Sequence, residues 1–418
     1  MRRTFALIAP MVFLAATVSA QVTPAAGFVP PDDTQSLRVG MTMFLDNTYM
    51  LGPKGTSADC AATPGCSQDF TPSAFNVGRT YLNVTGNISH LISYRISPDL
   101  TGLVAGTSYP LRIKYAYAQF SLDDWIKNSR TNWVRFGQQQ TPWIDFEEGI
   151  YRYRFQGTVF GERSGGYLSS SDRGASFHYT FPANWGDVHT GIYNGENYQA
   201  AETNQQKAWR TRVTVRPFAR MAPLYRGLRA SVFYDKDSYQ TDSERKRLIG
   251  AVTFEHQYVN AAFQYMIAND QGTALGTPFN REGKGYSIWA VPKQGAGNLG
   301  WEGLVRYDHL VPDTRSTAIP VTTGTNTVTF EQQERNRVVL GIAYWFPHPA
   351  GGATTAIMFD FDGLTTGPGV PNATGGLVGV SGIGTAAPTQ TNPGLTANGP
   401  FLPTPTFKTF TIRALLNF

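Results

Sequence analysis

The sequence predicts an all-β fold: a transmembrane antiparallel β-barrel of 16 strands with an inward-folded third extracellular loop. The composition is the first reason. Only 16% of the 418 residues are charged, compared with roughly 25% in soluble domains, while 13% are aromatic and 43 are Gly. Secondly, past residue 20 no uninterrupted apolar run approaches the ~20 residues that a spanning helix needs. Thirdly, apolar residues recur at alternate positions, as in strands with one side facing lipid.

Residues 1–20 are predicted to be a secretory signal peptide. The basic start Met1–Arg3 precedes an apolar stretch from Phe5 to Val18, and Val18–Ala20 is a small-residue cleavage site. A membrane anchor is the alternative, but the stretch is short. Removing the peptide lowers the net charge from +5 to +3, too little to indicate nucleic-acid binding. The expected organisation is a signal peptide at 1–20, a periplasmic N-terminal segment at 21–35 and the barrel at 36–418.

The two cysteines lie close together in the chain. Cys60 and Cys66 flank a Pro-Gly turn, and in an exported protein such a pair favours a disulfide over a metal site. No His is nearby to complete a zinc set. We therefore expect a disulfide in a loop, and we expect neither a metal nor a cofactor.

The last twelve residues alternate with period two. The apolar side carries Phe410, Ile412, Ala414, Leu416 and Phe418, and the polar side carries Thr409, Thr411 and Arg413. This pattern resembles the terminal strand of bacterial outer-membrane barrels, whose last aromatic residue is recognised by the assembly machinery. We expect Phe418 to serve that partner, and the apolar side to contact outer-membrane lipid.

Similar alternation upstream predicts the remaining strands. We place the sixteen strands at 36–45, 75–87, 91–97, 111–122, 132–140, 173–181, 187–194, 207–217, 227–236, 247–257, 260–269, 284–292, 299–310, 336–346, 353–362 and 407–418. The number is even, as in bacterial single-chain barrels. The odd-numbered connections, including 141–172, 237–246, 270–283 and 363–406, are then all longer than the even-numbered ones. We interpret the long ones as extracellular loops and the short ones as periplasmic turns.

The inward side of these strands is predicted to be basic, because a 16-stranded barrel encloses water and charges facing lipid are costly. Alternation places there Arg79, Arg95, Arg112, Lys114, Arg135, Arg210, Arg212 and Arg216, together with Arg38, Arg229, Arg306 and Arg413. Arg suits bidentate recognition of oxyanions. The alternative is that these residues line a wet wall and pair with acids such as Asp235, Glu255, Glu302 and Asp308.

Loop 141–172 is predicted to set the width of the pore. It is long and rich in aromatic residues, which need a surface to pack on, so we expect it to lie on the inner wall. Among its charged residues are Asp145, Glu147, Glu148, Arg152, Arg154 and Arg163. Opposed charges across a narrowing would create a transverse field that selects solutes. Three other readings are open: Glu147 and Glu148 as a general acid and base, a Ca²⁺ site, and an ordinary solvated loop.

Other candidate chemistry is sparse. His178 and His189 fall on successive strands and are expected to face each other as a lumen-lining pair, in preference to a metal site. The Gly-rich run 375–384 lacks a complete dinucleotide fingerprint and a following helix, so it is interpreted as part of surface loop 363–406.

Several short motifs, in order along the chain, resemble the phosphate-selective porin O and P family. They are Gly78-Arg79 with Tyr81, Lys114–Tyr117, Val134–Trp143, Ser171–Gly174, Gly191–Gly195 and Trp301–Tyr307. The resemblance covers about residues 36–418, and the order and spacing of the motifs carry it. It implies a sixteen-stranded, trimeric porin with an inward third loop. Phosphate-selective members are rich in Lys and Arg at the constriction, whereas this third loop carries acids as well as Arg.

These observations predict a non-enzymatic outer-membrane channel for passive diffusion of small hydrophilic or anionic solutes, with a mild anion preference. A second hypothesis is an adhesion or assembly barrel that binds partners through the long loops 46–74 and 363–406. A third is a barrel hydrolase, a lipase or protease, which would need a His-Ser or His-Asp constellation at the rim.

Overall fold

The structure is a computed structural model. It describes residues 33–51, 73–101, 109–127, 132–163, 166–202, 204–240, 243–274, 277–295, 299–312, 314, 321–323, 326–328, 334–347, 354–366 and 406–418. The predicted signal peptide, Cys60, Cys66 and the Gly-rich run 375–384 lie outside these residues. No helix within the described ranges is long and apolar enough to cross a membrane.

Sixteen of the strands in the described residues close into a single antiparallel barrel, as predicted. They are β1 Ser36–Leu51, β2 Ser73–Asn87, β3 Ile92–Thr101, β4 Leu111–Ser121, β5 Trp133–Gln140, β6 Ser171–Thr180, β7 Gly186–Tyr193, β8 Ala208–Val215, β9 Leu228–Gln240, β10 Ser243–Glu255, β11 Val259–Ala274, β12 Thr277–Pro292, β13 Gly300–Val311, β16 Arg335–Phe346, β17 Thr355–Thr366 and β18 Thr406–Asn417. Two short strands, β14 Val321–Thr323 and β15 Asn326–Val328, pair with each other between β13 and β16.

Short helices interrupt the connections. They are α1 Pro142–Ile150, α2 Phe160–Arg163, α3 Pro223–Arg226 and a 3₁₀ turn at Pro182–Asn184. The first two lie in the long connection between β5 and β6, which the sequence singled out.

The terminal strand closes the barrel against β1. The Phe418 carbonyl accepts a hydrogen bond from the Met41 amide at 2.9 Å, and the Phe418 amide donates to the Met41 carbonyl at 3.1 Å. The Thr42 hydroxyl adds a bond to the Asn417 side chain at 2.8 Å. Closure leaves neither β1 nor β18 with an unpaired edge. Strands in lipid require such closure, because their backbone groups have no water to bind.

Most barrel strands expose apolar side chains on one face and bury polar, charged or aromatic side chains on the other. Val39, Ile192 and Val305 are 63%, 59% and 52% exposed, whereas Arg95 and Asp360 are fully buried. This is the reverse of a soluble protein, and it is the alternation that a transmembrane barrel shows, with apolar residues towards lipid and polar residues towards the lumen. β1, β3 and β5 end, and β2, β4 and β6 begin, at the same end of the barrel, which we call the loop end; the opposite end is the turn end.

Two hairpins are longer than the sequence suggested. The expected loops at 237–246 and 270–283 are wrong in their bounds, because β9 runs to Gln240, β10 begins at Ser243, β11 runs to Ala274 and β12 begins at Thr277. Backbone pairing continues there through polar residues, as in the register pair Lys246 and Lys236. Beyond the lipid, no apolar side is needed, so alternation ends before the strands do. The expected contrast between long loops and short turns therefore fails at these two connections.

Candidate functional site

The connection between β5 and β6 begins with helix α1. Pro142 occupies the first helical turn, where its missing amide costs nothing, and Asp145 places a carboxylate near the helix N-terminus. The Thr141 amide donates to the Ser170 carbonyl at 3.3 Å, so the connection leaves and rejoins the barrel at adjacent points. We call residues 142–163 the anchored segment, because its side chains contact the buried face of many strands.

Aromatic side chains of the anchored segment pack on aromatic rings of that buried face. Tyr151 meets Trp289 of β12 with ring centroids 5.2 Å apart. Tyr153 and Phe155 meet Trp345 of β16 at 5.8 and 6.0 Å. The three segment residues are 0–4% exposed. The aromatic residues therefore have the packing surface that the sequence indicated they need.

An ion pair joins the anchored segment to β13. Arg152 donates from Nε to Oε2 of Glu302 at 3.1 Å, and its Nη2 lies 2.7 Å from Oε1 in an ion pair. The Tyr153 hydroxyl also donates to Oε2 of Glu302, at 2.8 Å. The Arg152 guanidinium also lies 3.5 Å from the Trp345 ring centroid. Such a two-pronged, ring-stacked pair fixes both position and orientation of the segment.

A second ionic anchor joins the segment to β16 and β17. Asp362 pairs with Arg163 of the segment and, at 2.7 and 2.8 Å, with Arg337 of β16. Gln156 accepts from Arg163 at 2.8 Å and donates to Asp362 at 3.3 Å. One carboxylate thus holds two guanidinium groups, and Arg163 serves as an anchor.

The remaining predicted charges of the segment lie elsewhere. Arg154 pairs within the segment, with Glu148 at 2.6 Å and Glu162 at 3.3 Å. Asp145 lies 3.7 Å from Arg135 of β5. The structure therefore pairs Arg154 with its neighbouring acids and does not set the three acids against the three arginines as two opposed clusters.

Glu147 is buried in the segment and held by neutral donors. The Trp143 indole donates to it at 2.9 Å, one helical turn away, and the Gln264 amide of β11 donates to its other oxygen. Burial raises the pKa of Glu147 to about 7, although Arg306 and these two hydrogen bonds oppose the rise. Glu147 is therefore the segment carboxyl that titrates near neutral pH.

Across the barrel, β2 to β8 carry a row of cations that we call the basic wall. Its members are Arg79, Arg95, Arg112, Lys114, Arg135, Arg210 and Arg212. Most of them stack on aromatic rings: Arg95 lies 4.6 Å from the Tyr115 ring, and Arg135 lies 3.7 Å from the Trp133 ring. Arg216 follows β8, where its amide donates to the Trp185 carbonyl at 2.6 Å.

A β-bulge shapes the middle of the basic wall. The register between β3 and β4 shifts at Ser97 and Pro98, so that Lys114 is the extra residue. Lys114 and Tyr115 consequently both lie on the buried face, at 0% and 1% exposure. Simple alternation predicted Lys114 there but could not place its neighbour Tyr115 beside it.

Several wall cations are neutralised by carboxylates. Asp99 binds Arg79 at 2.6 Å and Arg112 at 3.1 Å. Arg210 binds Asp172 at 2.8 Å and Asp235 at 3.4 Å. Arg212 binds Asp187.

The acids named from the sequence do pair with arginine. Asp235 binds Arg210, Glu255 binds Arg229, Glu302 binds Arg152, and Asp308 binds Arg306. Five further acids that hold arginines of the buried face were not predicted, and alternation within their strands was the available signal for them. They are Asp99, Asp172, Asp187, Asp360 and Asp362.

Neutral groups hold the centre of the basic wall. Arg95 donates to Ser97 and Asn83, each at 2.9 Å. Lys114 lies 3.4 Å from the Tyr81 hydroxyl and interacts electrostatically with Glu148, yet within the described part of the chain it forms no ion pair. Lys114 therefore keeps positive charge at the centre of the wall.

His178 and His189 face each other, as expected. They form a register pair between β6 and β7, and their ring centroids are 6.0 Å apart, with Trp133 stacked on His178. Across the ranges that the structure describes, no group of three or more His, Cys, Asp or Glu side chains is arranged to hold a metal ion.

The closed barrel with an anchored segment and a basic wall defines a porin-type fold. No family model matches the sequence, and no curated protein matches it. Solved structures do resemble it. An anion-selective porin from Comamonas acidovorans superimposes with a TM-score of 0.54 at 11% identity, covering 92% of this chain and 100% of the porin.

Two further structures are similar. The outer membrane channel DcaP of Acinetobacter baumannii matches with a TM-score of 0.52 at 11% identity, over 94% of this chain and 100% of DcaP. OmpT, an outer membrane protein of Vibrio cholerae in a trimer form, matches with a TM-score of 0.50 at 9% identity, over 92% and 100% of the two chains. At these identities the likeness concerns the fold.

Proposed function

We propose that this protein is an outer-membrane porin, a non-enzymatic channel through which small hydrophilic solutes diffuse with a preference for anions. An apolar exposed face suits a lipid environment, and a 16-stranded barrel is wide enough to enclose water. The similar structures are outer-membrane channels and porins, which agrees with this role.

The anchored segment lies inside the barrel in this proposal and narrows the channel towards the basic wall. Its contacts support that position, because the Arg212 guanidinium of β8 donates to the Pro142 carbonyl at 3.2 Å and Asn260 of β11 donates to the Ile150 carbonyl at 3.4 Å. Both strand residues belong to the buried face. Solutes then pass between the segment and β2 to β5.

The observation that carries the anion preference is the descending order of cations on β3, β4 and β5. Register places them at successive levels from the loop end to the turn end: Arg112 opposite Asp99, then Lys114, Arg95 and Arg135. Two residues along a strand span about 7 Å. Arg112 at the loop end is partly exposed, while Lys114 is buried beside the neutral Tyr81 hydroxyl. The electric field of this row of cations favours anions over cations in the lumen.

Planar-bilayer recording across a KCl gradient tests the proposal. We expect a reversal potential of the sign that chloride selectivity gives. The triple variant Arg95→Gln, Lys114→Gln, Arg135→Gln should lose most of that potential, because it removes the three central charges. Lys236→Gln, on the exposed face, is the matched control and should behave as wild type. A cation-selective wild type, or a closed pore, would contradict the proposal.

We also propose the trimeric state that the family resemblance implies, with the signal peptide removed after Ala20 and Cys60 bonded to Cys66. Native mass spectrometry of the detergent-solubilised protein tests all three. The expected mass is three mature chains, each beginning at Gln21 and lighter by two hydrogens than the reduced chain.

A further inference from the structure

Lysine is scarce in this chain and is concentrated on one part of the exposed face. The sequence contains nine Lys, at 54, 114, 127, 207, 236, 246, 284, 293 and 408. Three of them, Lys236 of β9, Lys246 of β10 and Lys284 of β12, lie on the exposed face of adjoining hairpins, and their side chains are 40–47% exposed. We call these three residues the lysine patch.

The lysine patch lies just beyond a belt of tyrosines. Tyr234 precedes Lys236 by two residues on the same face, and Tyr286 follows Lys284 by two. Tyr286 is also the register partner of Tyr265. Tyrosine belts on barrels mark the boundary between the hydrocarbon and the headgroups. The ammonium groups therefore lie at headgroup height at the loop end of the barrel.

A cavity opens on the same face beside the patch. Its volume is ≈ 180 Å³, and its lining residues are Glu244, Lys246, Asn269, Gln271 and Asn280. Lysine and primary amides all present N–H donors, which suit the several acceptor oxygens of a phosphate. Lysine also has a flexible apolar stem that extends past the edge of the lipid while its charge stays in the headgroup layer.

The charge balance of the patch favours an anion. Glu244 bridges Lys236 at 3.3 Å and Lys246 at 2.5 Å, and Glu282 pairs with Lys284 at 2.5 Å. Three ammonium groups thus face two carboxylates. The excess positive charge lies at headgroup height, beside a cavity lined by Lys246, three amide side chains and Glu244, and is complementary to a phosphorylated lipid headgroup.

We propose that the lysine patch and the cavity beside it bind the phosphate of an anionic lipid in the outer leaflet, whose acyl chains lie along the exposed apolar face below. Val232, Leu248 and Ile288 form that face at 55%, 45% and 51% exposure. The site lies on the outer side of the barrel wall, opposite the proposed channel. Lipid binding at the site therefore does not depend on whether the channel conducts.

Native mass spectrometry of the full-length protein in dodecyl maltoside tests this site, with bis-phosphorylated lipid A as the probe. We expect adducts that survive activation, and affinity reduced by roughly tenfold or more in Lys236→Gln, Lys246→Gln, Lys284→Gln. Lys408→Gln is the matched control, because Lys408 is another exposed lysine, on β18, which pairs with β1 and β17 and lies away from β9 to β12. It should bind as wild type does.

Two further measurements separate the outcomes. Excess inorganic phosphate should fail to displace the lipid, because the acyl chains contribute to binding; displacement would indicate a free-phosphate site and overturn the lipid assignment. The triple variant should keep wild-type conductance and heat-modifiable migration, which shows that it is folded. Equal lipid binding by the triple variant and wild type would overturn the proposal and leave the channel proposal untouched.

Discussion

Arg95 and Arg152 are both buried arginines on opposite sides of the barrel, but their partners differ. Arg95 donates to the neutral oxygens of Ser97 and Asn83, whereas Arg152 forms a two-pronged ion pair with Glu302. The same residue type therefore serves two purposes. Arg95 is positioned by hydroxyl and amide oxygens within the wall itself and adds positive charge to that wall, while the carboxylate partner of Arg152 fixes the position of the anchored segment.

The comparison extends to the surrounding rings. On the basic wall, rings such as Tyr115 support cations. On the side of β12 and β16, Trp289 and Trp345 pack against aromatic residues of the anchored segment. The first wall is arranged for a solute and the second for a permanent occupant, the chain itself. This division between the two walls predicts different effects for substitutions on each.

Glu302→Gln should weaken the anchored side most. It leaves the buried Arg152 without its counter-charge, and breaking a buried pair on one side costs about 3–5 kcal/mol. The free energy of unfolding, from urea titration of the protein in lipid vesicles, should fall by that amount. Glu334→Gln is the control, since Glu334 is 52% exposed beside His309, and it should change stability little. Equal losses in both variants would contradict the division.

Glu147 should make the stability of the anchored segment depend on pH. Burial raises the pKa of Glu147 from 4.5 to about 7, so the folded state favours the protonated carboxyl. The folded protein binds more protons than the unfolded chain between these values, and the free energy of unfolding therefore falls as pH rises from 4.5 to 7. The full change is about 3 kcal/mol.

Urea titration at several pH values measures this dependence, and Glu147→Gln is the diagnostic variant. Glutamine keeps a carbonyl for the Trp143 indole and has no charge to bury. The variant should lose this component of the pH dependence and be more stable than wild type above pH about 7. A wild-type pH profile in the variant would show that Glu147 is not the titrating group.

The sequence predicted the barrel well because lipid imposes a strict rule on every strand. Alternation located sixteen strands and put Arg95, Arg135 and Arg210 on the buried face. It failed at the hairpins around 237–246 and 270–283, which extend beyond the lipid, where that rule no longer applies.

The partners within the site were harder to predict. Arg152 and Glu302 are 150 residues apart, and their contact depends on barrel register and on the path of the anchored segment. The loop sequence predicted Asp145, Glu147 and Arg152 as members of opposed charge clusters, but their neighbours lie on the barrel strands. The bulge at Lys114 likewise has no signature in residue type.

His90 provides the smallest expected effect, at the turn end of the basic wall. Its ring lies 2.6 Å from Asp33 and 2.9 Å from Asp124, so it joins the start of the barrel domain to two turns. The hydrogen bond to Asp33, then that to Asp124, raises the pKa of His90 above its ordinary 6.5. We call this contact between His90, Asp33 and Asp124 the clasp. Because the pKa of His90 is raised on folding, the clasp stabilises the folded protein at pH values below the pKa of unfolded histidine. This stabilisation is lost as pH rises through the pKa of His90 in the folded protein.

Cleavage around residue 33 by a protease of broad specificity measures the clasp, since an opened clasp exposes that backbone. We expect cleavage in wild type to accelerate as pH rises from about 6 to about 8.5, relative to a denatured substrate that corrects for protease activity. His90→Gln should cleave quickly at both values. The clasp is separate from the ion pairs of the anchored segment, so Glu302→Gln should keep the wild-type pH dependence of cleavage around residue 33. Loss of that pH dependence in Glu302→Gln would show that the two sides of the barrel are mechanically coupled.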